Sequence, residues 1–261
     1  MKKGAGIFFV IPMAGLGLRF KDAGYNIPKF MIEVGDFTLF DYSIFSLPLE
    51  ISQKVIFIIL KEHEDNFKVK KFIEDKMSKM SKYFKVDLKI EIIILEKPTR
   101  GQAETVLSCR DLIPLNRDIA IYNIDTYFYS RNLSNILKDN KLKMDGVIGG
   151  FKIKGKDNKW SFARAENNVV IETAEKIQIS DIALTGFYHF SRSQDFFDTA
   201  KAAIESGERS SGEFYIAPMY NQLIKNGKRF SLNIAEKIIP MGTPLDVKNI
   251  DLSQIKNICV R

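Results

Sequence analysis

Residues 5–12 (AGIFFVIP) run apolar and β-prone straight into Met13-Ala14-Gly15-Leu16-Gly17-Leu18-Arg19-Phe20. No other junction in the chain constrains the fold as much. A continuous apolar run, without in-out alternation, belongs to a strand buried on both faces, as at the centre of a parallel sheet. Loops at the C-terminal ends of such strands are where α/β sheets bind ligands. Small residues in the turn let the backbone approach a phosphate chain, and inward-pointing N–H groups bind its oxygens. Arg19, and then Lys29 in the pair Pro28-Lys29, add two cations able to offset charge on a phosphoryl group under attack. The spacing matches neither the P-loop, which needs GK[ST], nor the dinucleotide fingerprint, which needs a third glycine.

Three more apolar runs read as buried strands: Lys54 to Leu60, Ile90 to Leu95 and Ile119 to Ile124. Helical patterns separate them around Leu39 to Leu47, His63 to Tyr83 and Gln102 to Arg110. Strands alternating with helices imply an α/β fold, a Rossmann-like, mixed but mostly parallel sheet with helices on both faces. After about residue 144 the strands shorten, near Gly146 to Lys154, Ser161 to Ala165 and Val169 to Glu175. Helices follow at Gln194 to Ser206 and Glu213 to Lys225, then a strand at Arg229 to Ala235 and a helix from Pro244. No repeat or linker interrupts residues 1–261, so a single domain is expected, with a subdomain boundary at most near residue 144.

A hydrophobic content of 45% supports a globular core, and no run is long and charge-poor enough to cross a bilayer. The stretch Met1 to Val10 reads as a buried first strand, not a signal peptide. Cys109 and Cys259 lack the spacing of a metal site or redox pair and read as reduced cytosolic thiols. A net charge of +7 would suit a polyanion, nucleic acid included. The lysines are spread along the chain, however, and the densest run, Lys68 to Lys85, has the pattern of a solvated helix face. Nucleic acid and membrane are therefore not expected as partners.

The glycine turn, Arg19 and the Pro28-Lys29 pair resemble the signature of the sugar-phosphate nucleotidyltransferase family, which includes cytidylyltransferases of surface-glycan precursor pathways. Further matches follow in order. Asn123-Ile124-Asp125 ends the fourth strand like the family's metal-holding Asn-x-Asp. Thr99-Arg100-Gly101-Gln102-Ala103 is similar to the loop near the base. Glu175-Lys176 and Thr185-Gly186-Phe187-Tyr188-His189-Phe190 resemble the acceptor-side motifs. Met241-Gly242-Thr243-Pro244 looks like the closing Asp-x-Gly-Thr-Pro, but Pro240 stands where a second metal-binding aspartate belongs. Asp246, which follows closely, and Glu213, in an expected helix start, are the alternatives for that place, and the spacing selects neither.

The resemblance implies an enzyme that moves a nucleoside monophosphate from CTP, UTP or dTTP to a phosphorylated small acceptor, releasing pyrophosphate. It implies Mg²⁺ on Asp125, Arg19 and Lys29 as catalytic cations, and Ala14, Gly15, Leu16, Gly17, Gln102 and Ala103 around the nucleotide. Glu175, Lys176 and Gly186 would meet the acceptor. Residues 1–144 become the nucleotide-binding half and residues 145–261 the acceptor-binding half of a cytoplasmic protein, with a homo-oligomer left open. The product would feed capsule or lipopolysaccharide synthesis. Rival readings are a cytidylyltransferase for phosphocholine or phosphoglutamine, a nucleotide-sugar-dependent glycosyltransferase, and a non-catalytic regulatory subunit. Taken alone, each residue has a plainer reading: Asp125 as a turn or cap residue, Lys29 as a surface lysine, Glu175-Lys176 as a solvated strand end. His63 and His189 have no partner pattern and read as structural.

Overall fold

Apolar runs become strands and amphipathic stretches become helices in the computed structural model, which describes residues 6–139, 143–207, 209–251 and 253. The strands are β1 Ile7–Pro12, β2 Glu33–Val34, β3 Phe37–Thr38, β4 Ser52–Leu60, β5 Ile90–Leu95, β6 Ile119–Tyr122, β7 Thr126–Tyr129, β8 Gly146–Lys152, β9 Ser161–Glu166, β10 Val169–Glu175, β11 Ile182–Phe190, β12 Phe230–Ile234 and β13 Lys237–Pro240. The α-helices are α1 Leu18–Asp22, α2 Leu39–Ile44, α3 Lys61–Phe67, α4 Val69–Phe84, α5 Gln102–Leu107, α6 Leu133–Lys138, α7 Ser193–Ser206, α8 Met219–Lys225 and α9 Pro244–Lys248. Residues Met1 to Ala5 and Cys259 lie outside the described residues.

One sheet runs in the order β5-β4-β1-β6-β11-β8-β12-β10-β9. Strands β5, β4, β1 and β6 are mutually parallel, and β12 joins β8 in parallel. Strand β11 enters antiparallel between β6 and β8, and β10 and β9 extend the far edge as an antiparallel hairpin. The fold is thus a mixed α/β sheet, parallel from β5 to β6 and largely antiparallel beyond, rather than mostly parallel; its strands after residue 144 are not shorter than those before, β11 alone spanning 9 residues.

Period-two alternation assigns the central strands to two cores. Phe9, Ile11, Phe57 and Ile59 pack on one face with residues of α2 and α4, while Phe8, Val10, Ile56 and Ile58 pack on the other with α5, α7 and α8. Each fully buried side chain of this size contributes roughly 1.5–3 kcal/mol. The lysine-rich stretch is α4: Val69, Ile73, Met77 and Met80 face inward, which confirms a solvated helix face.

Two expected helices are corrected. The pattern His63 to Tyr83 is split at Lys68, whose φ of 54° ends α3 and starts α4. The helix expected from Glu213 begins only at Met219. The preceding segment is a non-helical loop, in which Phe214 donates its N–H to Arg100 O and accepts from Ala103 N–H at 3.1 and 2.9 Å. Those bonds satisfy the backbone of the loop opposite, which a helix here would leave unpaired. Gly101 makes the approach feasible: its φ is 148°, and a Cβ would lie 2.4 Å from Phe214 N. Gly101→Ala is therefore expected to destabilise the fold by about 3 kcal/mol, read as a lower urea midpoint at unchanged slope.

Candidate active site

A cleft of about 990 Å³ opens across the C-terminal ends of β1, β4 and β6. Its floor is the turn after β1. Met13 N–H is bonded to Ile58 O at 2.7 Å, which pins the start of the turn to β4. From Ala14 to Gly17, by contrast, no backbone N–H has an acceptor among the described residues. Gly17 takes the left-handed conformation at φ 64°, and a Cβ on Gly15 or Gly17 would meet nothing within 4 Å. The turn thus lines the cleft with backbone N–H groups left without an acceptor among the described residues, a polarity suited to an anion. Leu16 and Arg19 also line the cleft; Arg19, on α1, is exposed.

Pro28 precedes Lys29, which opens a short 3-10 turn and lines the same cleft. Its Nζ lies 2.7 Å from Asp125 Oδ2, and both side chains are about three-quarters shielded. Burial pushes the Asp125 carboxyl up, but the charge and hydrogen bond of Lys29, joined by the field of Arg19, outweigh it and hold the group below the usual carboxylate range. The result is an ionised carboxylate facing the cleft.

The small antiparallel pair β7–β13 brings the closing motif onto that carboxylate. Pro240 pairs with Thr126, and Met241 N–H donates to Asp125 O at 2.9 Å. Asp246 stands on the first turn of α9, capped by Thr243. A Cβ on Gly242 would lie 3.6 Å from Asp125 Oδ2 and 4.0 Å from Asp246 Oδ2. Asp246 therefore sits across Gly242 from Asp125, while Glu213 lies near Glu175 and Lys176 instead. Among the described residues no three His, Cys, Asp or Glu side chains cluster to hold a metal.

On the β5 side, Gln102 lines the cleft and its amide bonds Asn123 Oδ1. Ala103 does not reach the cleft. Its methyl is buried in the core and its N–H is donated to Phe214 O. On the other side, Gly186 at φ 82° packs against Asn123, where a Cβ would come within 2.8 Å of Nδ2. Glu175 is 8% exposed and accepts from Ser161 Oγ. Burial raises its carboxyl above the usual range, only partly offset by Ser161 and Lys176. Lys176, at φ 56°, donates to Tyr215 OH at 2.7 Å, which raises its pKa.

Sequence reasoning missed Ser161, Lys159, Trp160 and Tyr215, all on the cleft wall. Lys159 Nζ lies 3.5 Å from Asp246 Oδ1 and 4.9 Å from the Trp160 ring centre. His63, expected to be structural, also lines the cleft. His189 is buried away from it, 3.2 Å from Asp118.

A family model described as nucleotidyl transferase matches residues 9–238. A nucleoside-diphosphate-sugar pyrophosphorylase from Vibrio cholerae RC9 is 31% identical over 97% of this chain and 100% of that one, with a TM-score of 0.75. A UDP-glucose pyrophosphorylase complexed with UDP-glucose shares the fold at 17% identity, covering 97% of this chain and 100% of that one, with a TM-score of 0.72. So does the inositol-1-phosphate CTP transferase from T. maritima, at 13% identity over 98% and 96% and a TM-score of 0.71. No curated protein matches the sequence. The match over most of the chain and the similarity to the Vibrio protein agree with the motif order: the chain belongs to the nucleotidyl transferase family and is a nucleotidyltransferase.

Proposed function

We propose that this enzyme transfers a nucleoside monophosphate from CTP, UTP or dTTP to the phosphate of a hydroxyl-rich, sugar-like acceptor, releasing pyrophosphate. The observation that carries it is the Lys29–Asp125 pair at 2.7 Å beside a turn whose N–H groups lack acceptors. Two polyanions must meet at the α-phosphorus, so the chemistry is one of charge and position. In this reading the N–H groups from Ala14 to Gly17 and the Arg19 guanidinium bind the triphosphate, and Lys29 stabilises charge building on the α-phosphoryl oxygens. Lys176 holds the acceptor phosphate for in-line displacement, with no covalent intermediate. No general base is required, because a phosphate monoester is largely ionised at neutral pH.

The ionised Asp125 carboxylate, with Asp246 across Gly242, fits a hard divalent cation that takes its remaining oxygens from phosphate and water. Mg²⁺ held there would neutralise phosphate charge. At the acceptor end, Lys159 and Lys176 already lie over the Trp160 and Tyr215 rings, 4.9 and 4.8 Å from their centres. That arrangement favours a hydroxyl-bearing acceptor bonded to Glu175 over a quaternary ammonium such as phosphocholine. Asn123 is engaged by Gln102, so a metal-binding pair of the glycosyltransferase kind has no support. The halves on either side of residue 144 would serve nucleotide and acceptor respectively. Its product would be an activated precursor for surface polysaccharide, made in the cytoplasm where NTPs are held. Among the described residues no helix is long and apolar enough to cross a membrane.

Incubation with each NTP, Mg²⁺ and a panel of sugar phosphates and phosphocholine, read as pyrophosphate release, tests the proposal; no release with any pair defeats it. In the productive pair, Lys176→Ala is expected to raise KM for the acceptor about tenfold or more, leaving KM for the NTP within about twofold. Equal changes in both would remove Lys176 from the acceptor site.

A further inference from the structure

His63 lies in the first turn of α3, on the wall of the cleft, with only 3% of its surface exposed. Its Nδ1 is sealed from solvent and has no hydrogen-bond partner among the described residues. An N–H left without an acceptor in that position would carry the full cost of desolvation. The neutral ring therefore keeps its proton on Nε2, the nitrogen left to meet the cleft. Burial pushes the His63 pKa down, against the pull of Glu62 and with the push of Lys21, so the ring is neutral at pH 7. Glu62 itself is paired with Lys21 of α1 at 3.3 Å. A neutral donor thus stands in the wall with no acceptor among the described residues.

The two cores indicate which ligand atoms it meets. Gln102 opens the helix whose Ala103 and Val106 belong to one core, while His63 packs edge-on against Phe30, a residue of the opposite core, at 6.2 Å between ring centres. A nucleotide whose α-phosphate lies at Lys29 and Asp125, and whose base lies toward Gln102, would extend its terminal phosphates along the 14–19 turn toward α1 and α3. We propose that His63 donates a hydrogen bond from Nε2–H to a terminal phosphate oxygen of the NTP, and so helps to hold the pyrophosphate that leaves. The proposal rests on the nucleotidyl-transfer reading above and adds a donor that none of the sequence motifs contains.

Inorganic pyrophosphate with Mg²⁺ is the probe. In calorimetric titration, H63F is expected to bind it about tenfold more weakly than wild type, while H63Q, whose amide keeps a donor, stays within about threefold. Equal affinity of H63F and wild type overturns the proposal. Where thermal melting shows that H63F is unfolded, the wild-type protein decides the matter, because the chain has two histidines. Pyrophosphate is expected to shift the imidazole ¹⁵N resonances of His63 and to leave those of His189 in place. Unshifted His63 resonances in a protein that binds the probe overturn the proposal. A wild-type protein that does not bind pyrophosphate at all overturns the donor-side reading beneath it.

Discussion

Lys29→Ala is expected to lower kcat about a thousandfold while raising KM for the NTP only a few fold. Removing one preorganised donor aimed at developing charge costs roughly 10²–10³ in rate, and Lys29 has a second task. Its Nζ does most to hold Asp125 ionised despite burial, so the same substitution lets that carboxyl rise. Both effects weaken stabilisation at the α-phosphorus. Lys29→Arg should recover little: a planar guanidinium cannot occupy the point position, 2.7 Å from one carboxylate oxygen, that a compact ammonium takes. Pyrophosphate release measured at saturating NTP and acceptor checks the claim, and a fall of less than tenfold would remove Lys29 from the reaction centre. Arg19 is exposed and has no ion-pair partner among the described residues, so Arg19→Ala should act mainly on KM for the NTP.

How far the sequence reveals this arrangement depends on what sets each contact. The central strands were legible because burial on both faces writes itself as unbroken apolar runs, and β5 and β10 fall on their expected bounds. Lys29 and Asp125 were legible as separate motif positions, but their 2.7 Å contact is made across 96 residues and has no local signature. Where a single residue changes the backbone's course, the pattern misleads. Lys68 adopts φ 54°, a conformation that side-chain periodicity does not record. The partner of Glu175 was hidden in a similar way. Asn167 and Asn168, both at positive φ, form a two-residue turn of the kind that pins hairpin register, and plain counting from it pairs residue 161 with 174. A bulge between Val170 and Glu172 shifts the ladder by one and places Ser161 opposite Glu175. Residues 213–218 look helical by composition, yet they satisfy the backbone around Gly101, a tertiary demand that overrides propensity. Pro240 was a true departure from the motif, and the backbone at Gly242, next to the β7–β13 pair, brings the Asp246 carboxylate near Asp125.

Asp125→Asn keeps the shape of the side chain and removes its charge, which makes it the sharper test of the cation site. Lys29 then loses its partner, and Mg²⁺ would lose its ionised protein oxygen. A kcat reduction of about a thousandfold is expected, together with a higher Mg²⁺ concentration for half-maximal rate. Full activity at ordinary Mg²⁺ would remove the Asp125 charge from the reaction. Stability separates the two roles. The folded-state pKa of Asp125 lies below the unfolded value, so its ionised form contributes stability that is fully present above the unfolded pKa of about 3.9. That contribution is lost as pH falls through the lower folded pKa. The difference in melting temperature between wild type and Asp125→Asn should therefore be constant from neutral pH down to about pH 5 and shrink below about pH 4. A difference that persists unchanged to pH 3 would trace the loss to packing of the amide, and the drop in kcat could not then be assigned to charge.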